Sequence, residues 1–479
     1  MPRRHIRVTG APEAPLRAAL TALRTKLAVP DGFPAAVLTD ADRAARAPRL
    51  PEYDATDIPF LTLDPPGATD LDQALHLSRQ GTGYRVRYAI ADVAAFVVPS
   101  GPLDRETHRR VATLYFPDGK VPLHPAVLGD DAASLLPDRT RPAVLWTIDL
   151  DADGRTLAVD VRRALVRSRA QLDYAAVQRR IDDGTAEEPL ALLKTVGRLR
   201  EGLEADRGGI SLNVPEQEIL AHDHAYELTY RAPLPVEGWN AQLSLLTGMA
   251  AADLMLAYGT GVLRTLPAAP DGAVGRLHRV ARALHIDWPH HHVSYAQLVR
   301  SLDPRLPRHA AFLQECTTLL RGAGYTAFRD GKLPDITTHA AVAAPYTHCT
   351  APLRRLADRY ATELCLAAMA GQSPPDWVTA ALDALPDEMA AGGRRANGVE
   401  RACVDLVEAA LLQDRVGDTF DGCVVDLDDD RPTTGTVHLE SPAVIGRIDA
   451  DHPLPLGEPL RVRLTRADPA VPTVRFTPA

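Results

Sequence analysis

The segment Thr62–Ala74, TLDPPGATDLDQA, concentrates residue types that can do chemistry: Asp64, Asp70 and Asp72 fall within nine residues, with Gln73 beside the last. TLD reads as the end of a strand, Pro65-Pro66-Gly67 as a turn, and TDLDQA as renewed extended chain. Folding that turn back can bring the three carboxylates to one point. Carboxylates gathered and buried repel one another and are costly to desolvate. A hard divalent cation relieves that cost, and magnesium prefers oxygen ligands with several waters retained. Two such ions ~4 Å apart would stabilise both the attacking and the leaving oxygen of a phosphodiester displacement. Taken alone, the segment reads equally well as a solvated acidic turn.

A second constellation is Tyr346–Asp358, YTHCTAPLRRLAD. Pro352 suits the first turn of a helix and Thr350 its N-cap, while Leu353, Leu356, Ala357, Tyr360 and Leu364 mark one apolar face. Arg354 and Arg355 would then lie in the first turn, where free backbone N–H groups and the helix dipole favour an anion. A guanidinium there can grip a phosphate with two hydrogen bonds. An ordinary salt-bridged helix start is the simpler reading of this segment by itself. His290–His292 is not expected to bind metal, because three consecutive imidazoles cannot all face one ion and Trp288-Pro289 suggests a loop. No dinucleotide fingerprint, P-loop or G-x-S-x-G elbow is present, which argues against nucleotide-fuelled and acyl-transfer chemistry.

The elements that must hold these residues fall into three regions. Residues 1–53 read as a small helical or winged-helix module, with helix-like spacing over Ala14–Leu27 and Pro34–Ala47. Residues 54–413 open with strands, in which Tyr84, Val86, Tyr88 and Ile90 alternate with Arg85 and Arg87, and Trp146–Asp151 and Leu157–Val166 follow in the same style. That region then turns helical, over Asn240–Tyr258 and Leu353–Met369. Strands followed by helices predict an α+β architecture. Residues 414–479 carry five short strand-like runs with turns, the pattern of an OB-type barrel that binds single-stranded nucleic acid.

The chain has 479 residues, 46% of them hydrophobic and 24% charged, and a formal net charge of −9. That charge disfavours a protein that coats nucleic acid by electrostatics alone. It leaves room for an enzyme that grips one strand end in a channel. The five cysteines are widely spaced with no C-x-x-C pair, so neither a disulfide framework nor a zinc module is expected. No signal peptide and no apolar run of roughly 20 residues stands out, so a cytoplasmic protein with no membrane association is expected.

Four separated motifs resemble those of the ribonuclease II / ribonuclease R (RNB) family, in family order, between about Phe60 and Leu411. The acidic segment resembles the family's D-x5-D-x-D-D metal motif, matched at Asp64, Asp70 and Asp72 and departing at Gln73. Thr113–Pro125, TLYFPDGKVPLHP, is similar to the S-V-Y-L-P-D-x-x-I-P-M-L-P segment. YTHCTAPLRRLAD resembles Y-x-H-F-T-S-P-I-R-R-Y-x-D, with Ala351 for the serine and Thr362-Glu363 where the family usually has His-Arg. RRANGVERACVD resembles the segment that carries a functional glutamate, here Glu400. Beside these four, AIADVAAFV also resembles the H-I-A-D-V-S-x-Y-V strand, with Asp92 read as structural or as supporting the site from behind.

The resemblance implies an RNB-type catalytic domain and a magnesium-dependent 3′→5′ exoribonuclease, with manganese as a substitute ion. Asp64, Asp70, Asp72 and Gln73 would hold the metal. Asp72 and Arg354 would be catalytic, and Tyr115, Arg355 and Glu400 would bind the terminal nucleotide. The expected partner is the 3′ end of single-stranded RNA, the expected products are nucleoside 5′-monophosphates, and the expected state is a monomer. Gln73 keeps a rival open, an RNA-binding regulator of the same fold without activity. A hydrolase of small nucleotides or single-stranded DNA is a further alternative.

Overall fold

Strands with apolar residues on both faces build the first barrel in the computed structural model. The structure describes residues 6–9, 14–30, 32–212, 216–222, 225–269, 271–289, 292–320, 322–428, 430–439, 441–442, 444–456 and 458–479. His290 and His291 of the histidine run lie outside the described residues.

Five strands, Phe60–Asp64, Gln73–Gln80, Gly83–Ala91, Thr140–Leu150 and Thr156–Asp173, close into a barrel in chain order. The last strand pairs in parallel with the first, Leu63 opposite Leu172 and Asp64 opposite Asp173. Successive side chains point to opposite faces of a strand. Leu61, Leu63, Leu75, Leu77, Tyr88 and Trp146 therefore share one core with the helices Pro235–Tyr258 and Leu356–Ala370. Phe60, Ala74, Ala89, Ala91 and Leu145 turn to a second core. Both faces are covered, so the strands are rich in apolar residues along their whole length.

Pro235–Tyr258 is, among the described residues, long and apolar enough by composition to cross a bilayer, which the sequence reading did not anticipate. Half of its most apolar stretch is buried inside the protein, where Val236, Trp239, Leu243 and Leu246 pack against the barrel. The apolar character belongs to a core helix.

The C-terminal strands Thr419–Asp428, Arg431–Leu439, Ile445–Asp449, Pro459–Asp468 and Thr473–Pro478 close a second barrel. The helix Leu385–Leu412 has 28 residues, hence a length of about 42 Å, and links the two barrels. Met389 near its start lies in the first core, whereas Val399, Cys403 and Leu406 join the core of the C-terminal barrel.

The N-terminal helices appear as expected, over Ala14–Lys26 and Ala35–Arg46. They do not build a core of their own. Leu16, Leu20 and Leu23 pack into the C-terminal barrel's core, and Val37, Ala41 and Ala44 into the second core of the first barrel. A strand not anticipated from sequence, Ile6–Thr9, pairs in parallel with Glu216–His222. All five cysteines are free and four are buried, the environment expected of small hydrophobes.

Candidate active site

The acidic loop is shaped by what holds Leu71. In an extended D-L-D run, the middle residue faces opposite to its neighbours. Leu71 is fully buried, so Asp70 and Asp72 face the other way. The hydroxyl of Ser134 accepts from the Leu71 N–H at 2.9 Å and donates to the Thr69 carbonyl at 2.6 Å. Leu135 N–H bonds the Leu71 carbonyl and Ala91 N–H the Asp72 carbonyl, so the loop is clamped on both sides.

Asp72 is 2% exposed and fully engaged. Its Oδ1 accepts from the Leu353 N–H at 2.8 Å, and its Oδ2 from Arg354 Nε at 2.6 Å. The Arg354 side chain is nonetheless 39% exposed, so the rest of its fork faces outward. Arg354 also hydrogen-bonds the Tyr115 hydroxyl oxygen. Tyr115 sits in the short strand Leu114–Phe116, between two buried neighbours, and is 36% exposed. Thr113 N–H bonds the Arg354 carbonyl and Leu356 N–H the Val111 carbonyl, which fastens the tyrosine segment to the arginine segment. Asp72, Arg354 and Tyr115 are thus brought together as expected.

The helix begins later than expected. It runs from Leu356 to Ala370, so Arg354 and Arg355 precede it and Thr350 does not cap it. The reason is Asp358, fully buried, which takes the Ala351 N–H at 2.7 Å and the Arg355 fork at 2.7 and 2.9 Å. These bonds hold residues 351–355 as a separate turn. They also engage Nε and one terminal nitrogen of Arg355 with Asp358. Arg355→Ala is expected to destabilise the fold by about 2–3 kcal/mol, because it strands a buried carboxylate whose partner was partly solvated. Urea unfolding would show the loss, with any activity of the folded protein changed less than about tenfold. Unchanged stability with a raised KM would assign Arg355 to substrate binding.

Asp64 ends its strand with Oδ2 buried and without a hydrogen-bond partner. Asp70 Oδ1 instead receives Lys120 Nζ at 2.8 Å, and the same ammonium bonds Asp130 Oδ1 at 2.7 Å. Sequence reasoning missed Lys120 and Asp130. The signal for Lys120 was present, since the Pro117-Asp118-Gly119 turn makes a hairpin that sets Lys120 opposite Tyr115.

Among the described residues no group of three or more His, Cys, Asp or Glu side chains is gathered closely enough to form a metal cage. The expected convergence of all three aspartates on one point is therefore corrected: Lys120 and Arg354 draw Asp70 and Asp72 to themselves. The donors still fit a hard divalent cation. Asp64 offers an orphaned oxygen, and burial with the nearby charges of Asp72 and Asp70 pushes its carboxyl up to about 7. Burial likewise raises Asp72, to about 6, against the pull of Arg354.

A carboxyl that holds its proton more tightly folded than unfolded makes stability fall as pH rises through the folded value. In EDTA, the wild type is expected to lose melting temperature between about pH 4 and about pH 7 relative to Asp64→Asn, and magnesium to restore it more at the higher pH. Each pH unit across which one such group stays protonated is worth at most about 1.4 kcal/mol. Scanning calorimetry would check this, and a wild type that gains stability over that range relative to Asp64→Asn would contradict it.

Gln73 occupies the expected place but is committed elsewhere. Its Nε2 donates to the Thr350 carbonyl at 2.5 Å, and its Oε1 accepts from the Tyr88 hydroxyl at 2.8 Å. Tyr88 in turn contacts Ser244 Oγ at 2.9 Å. An aspartate here would set a carboxylate against a carbonyl oxygen. Gln73 therefore acts as a strut between the acidic strand and the arginine turn.

Glu400 lies on the long helix, where its charge, with those of Arg24 and Asp118, acts on Cys403. Arg24 belongs to the N-terminal helix and pairs with Asp118, in the turn of the hairpin that carries Tyr115 and Lys120. Asp92 is buried and receives Arg163 at 2.8 Å, the same arginine that bonds Glu363. Glu363 thus answers Arg163, which accounts for that departure from the motif.

Comparison with known proteins agrees with this architecture. Residues 52–370 match the RNB domain, and residues 418–479 match the RNase II-type exonuclease C-terminal S1 domain. The exosome complex exonuclease dis3 of Schizosaccharomyces pombe is 29% identical over 328 residues, 64% of this chain and 33% of that protein. Ribonuclease R of Escherichia coli is 26% identical over 432 residues, 81% of this chain and 51% of that protein. The chain thus spans between a third and about half of these relatives' lengths. Mycoplasma genitalium RNase R, solved with ribose-methylated single-stranded RNA, superposes with a TM-score of 0.83 at 19% identity, covering 97% of this chain and 78% of that one. With the RNB domain matched over residues 52–370, more than half of the chain, and the C-terminal S1 domain over residues 418–479, this chain belongs to the RNB family.

Proposed function

We propose that this protein is a divalent-metal-dependent, hydrolytic 3′→5′ exoribonuclease that shortens single-stranded RNA to nucleoside 5′-monophosphates. One observation carries the reading most: a buried Asp72 that orients a half-exposed Arg354 beside an exposed Tyr115. The relatives named as ribonuclease R and as an exosome exonuclease support it.

Asp64, Asp70 and Asp72 would hold the ion, which supplies Lewis-acid polarisation of the phosphate and activation of water. The chain's own residues do the rest. Asp72 fixes Nε of Arg354, so the outward N–H groups are pre-aimed at a phosphate without reorganisation. Tyr115 offers a ring face at the same place, and base–aromatic stacking is worth roughly 1–3 kcal/mol for any base. Preference for RNA must come from contacts to the 2′-hydroxyl.

The test is degradation of a 5′-labelled single-stranded RNA with magnesium or EDTA. Magnesium-dependent shortening from the 3′ end, with release of 5′-monophosphates, is the expected result. Binding without cleavage in magnesium or manganese would reject it and leave an RNA-binding protein without activity. Preferential cleavage of a DNA oligomer would reject the RNA assignment.

A further inference from the structure

We infer that Lys120 is a built-in cation standing in for a second divalent ion on Asp70, so that this site takes one metal ion. The inference rests on the nuclease reading above and specifies its charge balance.

Three observations carry it. Lys120 Nζ lies 2.8 Å from Asp70 Oδ1 and 2.7 Å from Asp130 Oδ1, a bridge between two carboxylates such as a metal ion makes. Thr69 Oγ1 also donates to Asp130 Oδ1, at 2.7 Å, which fixes the second carboxylate on the first one's own loop. Lys120 pairs directly with Tyr115 across the hairpin, and cross-strand partners project to the same face, so its ammonium stands on the side of Tyr115 and Arg354.

Gln73 adds to these three. It takes the place where the motif has its last aspartate, and its amide is bonded to Thr350 and Tyr88. A second ion would therefore lack an anionic ligand there, and on Asp70 it would have to displace Lys120. With all four carboxylates ionised, as binding of a cation requires, Asp64, Asp70, Asp72 and Asp130 set against Lys120 and Arg354 leave two negative charges, which one divalent ion neutralises. A second divalent ion would leave the cluster positively charged, a poor environment in which to hold it.

The experiment is equilibrium binding of Mn2+ to the full chain, followed by the paramagnetic signal of the free ion, with RNA cleavage measured on the same samples. Wild type is expected to bind one Mn2+. Lys120→Met frees Asp70 and Asp130, and is expected either to bind a second Mn2+ or to bind the first about tenfold more tightly. Its cleavage rate at low metal should fall about ten- to a hundredfold and recover in part at high metal. Lys120→Arg, which keeps the charge, should stay at one ion and serve as the folding control alongside thermal melts.

Two Mn2+ ions on a wild type that cleaves RNA would overturn the role of Lys120 and leave the nuclease reading intact. A folded Lys120→Met protein with unchanged stoichiometry, affinity and rate would do the same. One ion, with Lys120-dependent binding but no cleavage of any RNA, would support the built-in cation and overturn the nuclease reading instead.

Discussion

Asp72→Asn is expected to slow RNA shortening by about 10³-fold or more, with RNA binding largely kept. The substitution is nearly isosteric, and its amide oxygen can still accept from the Leu353 N–H. What it loses is on the other side. The amide NH2 would face the Arg354 Nε–H, donor against donor, where a charge-assisted bond of 2.6 Å now stands. The arginine would swing free and the ion site would lose an anionic oxygen. Single-turnover degradation with magnesium in excess measures both losses together. A rate within tenfold of wild type would mean that Asp72 only supports the fold.

Arg354→Ala is expected to cost about 10²–10³-fold in turnover, the usual price of one pre-aimed donor at a developing oxyanion. Arg354→Lys should fall between that variant and the wild type. Lysine keeps the charge, but it cannot hold Asp72 with one nitrogen while presenting others to phosphate in a fixed plane. The effect should appear in kcat more than in KM, because the contact strengthens as charge develops on the phosphate. Arg354→Ala also leaves a 2%-exposed carboxylate without its cation, so a melting curve must accompany the kinetics. Equal losses in kcat and in folded fraction would assign Arg354 to structure alone.

The two predictions are coupled, because each residue holds the other. If Asp72 acts through Arg354 as well as on the ion, the double variant should be less impaired than the product of the single effects.

Much of the frame was legible in one dimension. Period-two alternation over Tyr84–Ile90 and the five runs after Gly417 depend on local geometry alone, and both became barrel strands. The D-L-D run also carried a signal left unread, since a buried Leu71 puts Asp70 and Asp72 on one side. Helix boundaries were less secure, since the Tyr346–Asp358 turn is set by the buried carboxylate of Asp358 and not by Thr350 or Pro352.

Which charge meets which was decided only by the tertiary structure. Asp72 and Leu353 are 281 residues apart, and Gln73 and Thr350 are 277 apart, so no local pattern could report that they touch. The same holds for Arg355 and Lys120: their residue types admit a substrate role equally, and only their neighbours separate them. A side chain's chemistry is fixed by its atoms. Its assignment follows from desolvation and partner geometry, which exist only once the chain has folded.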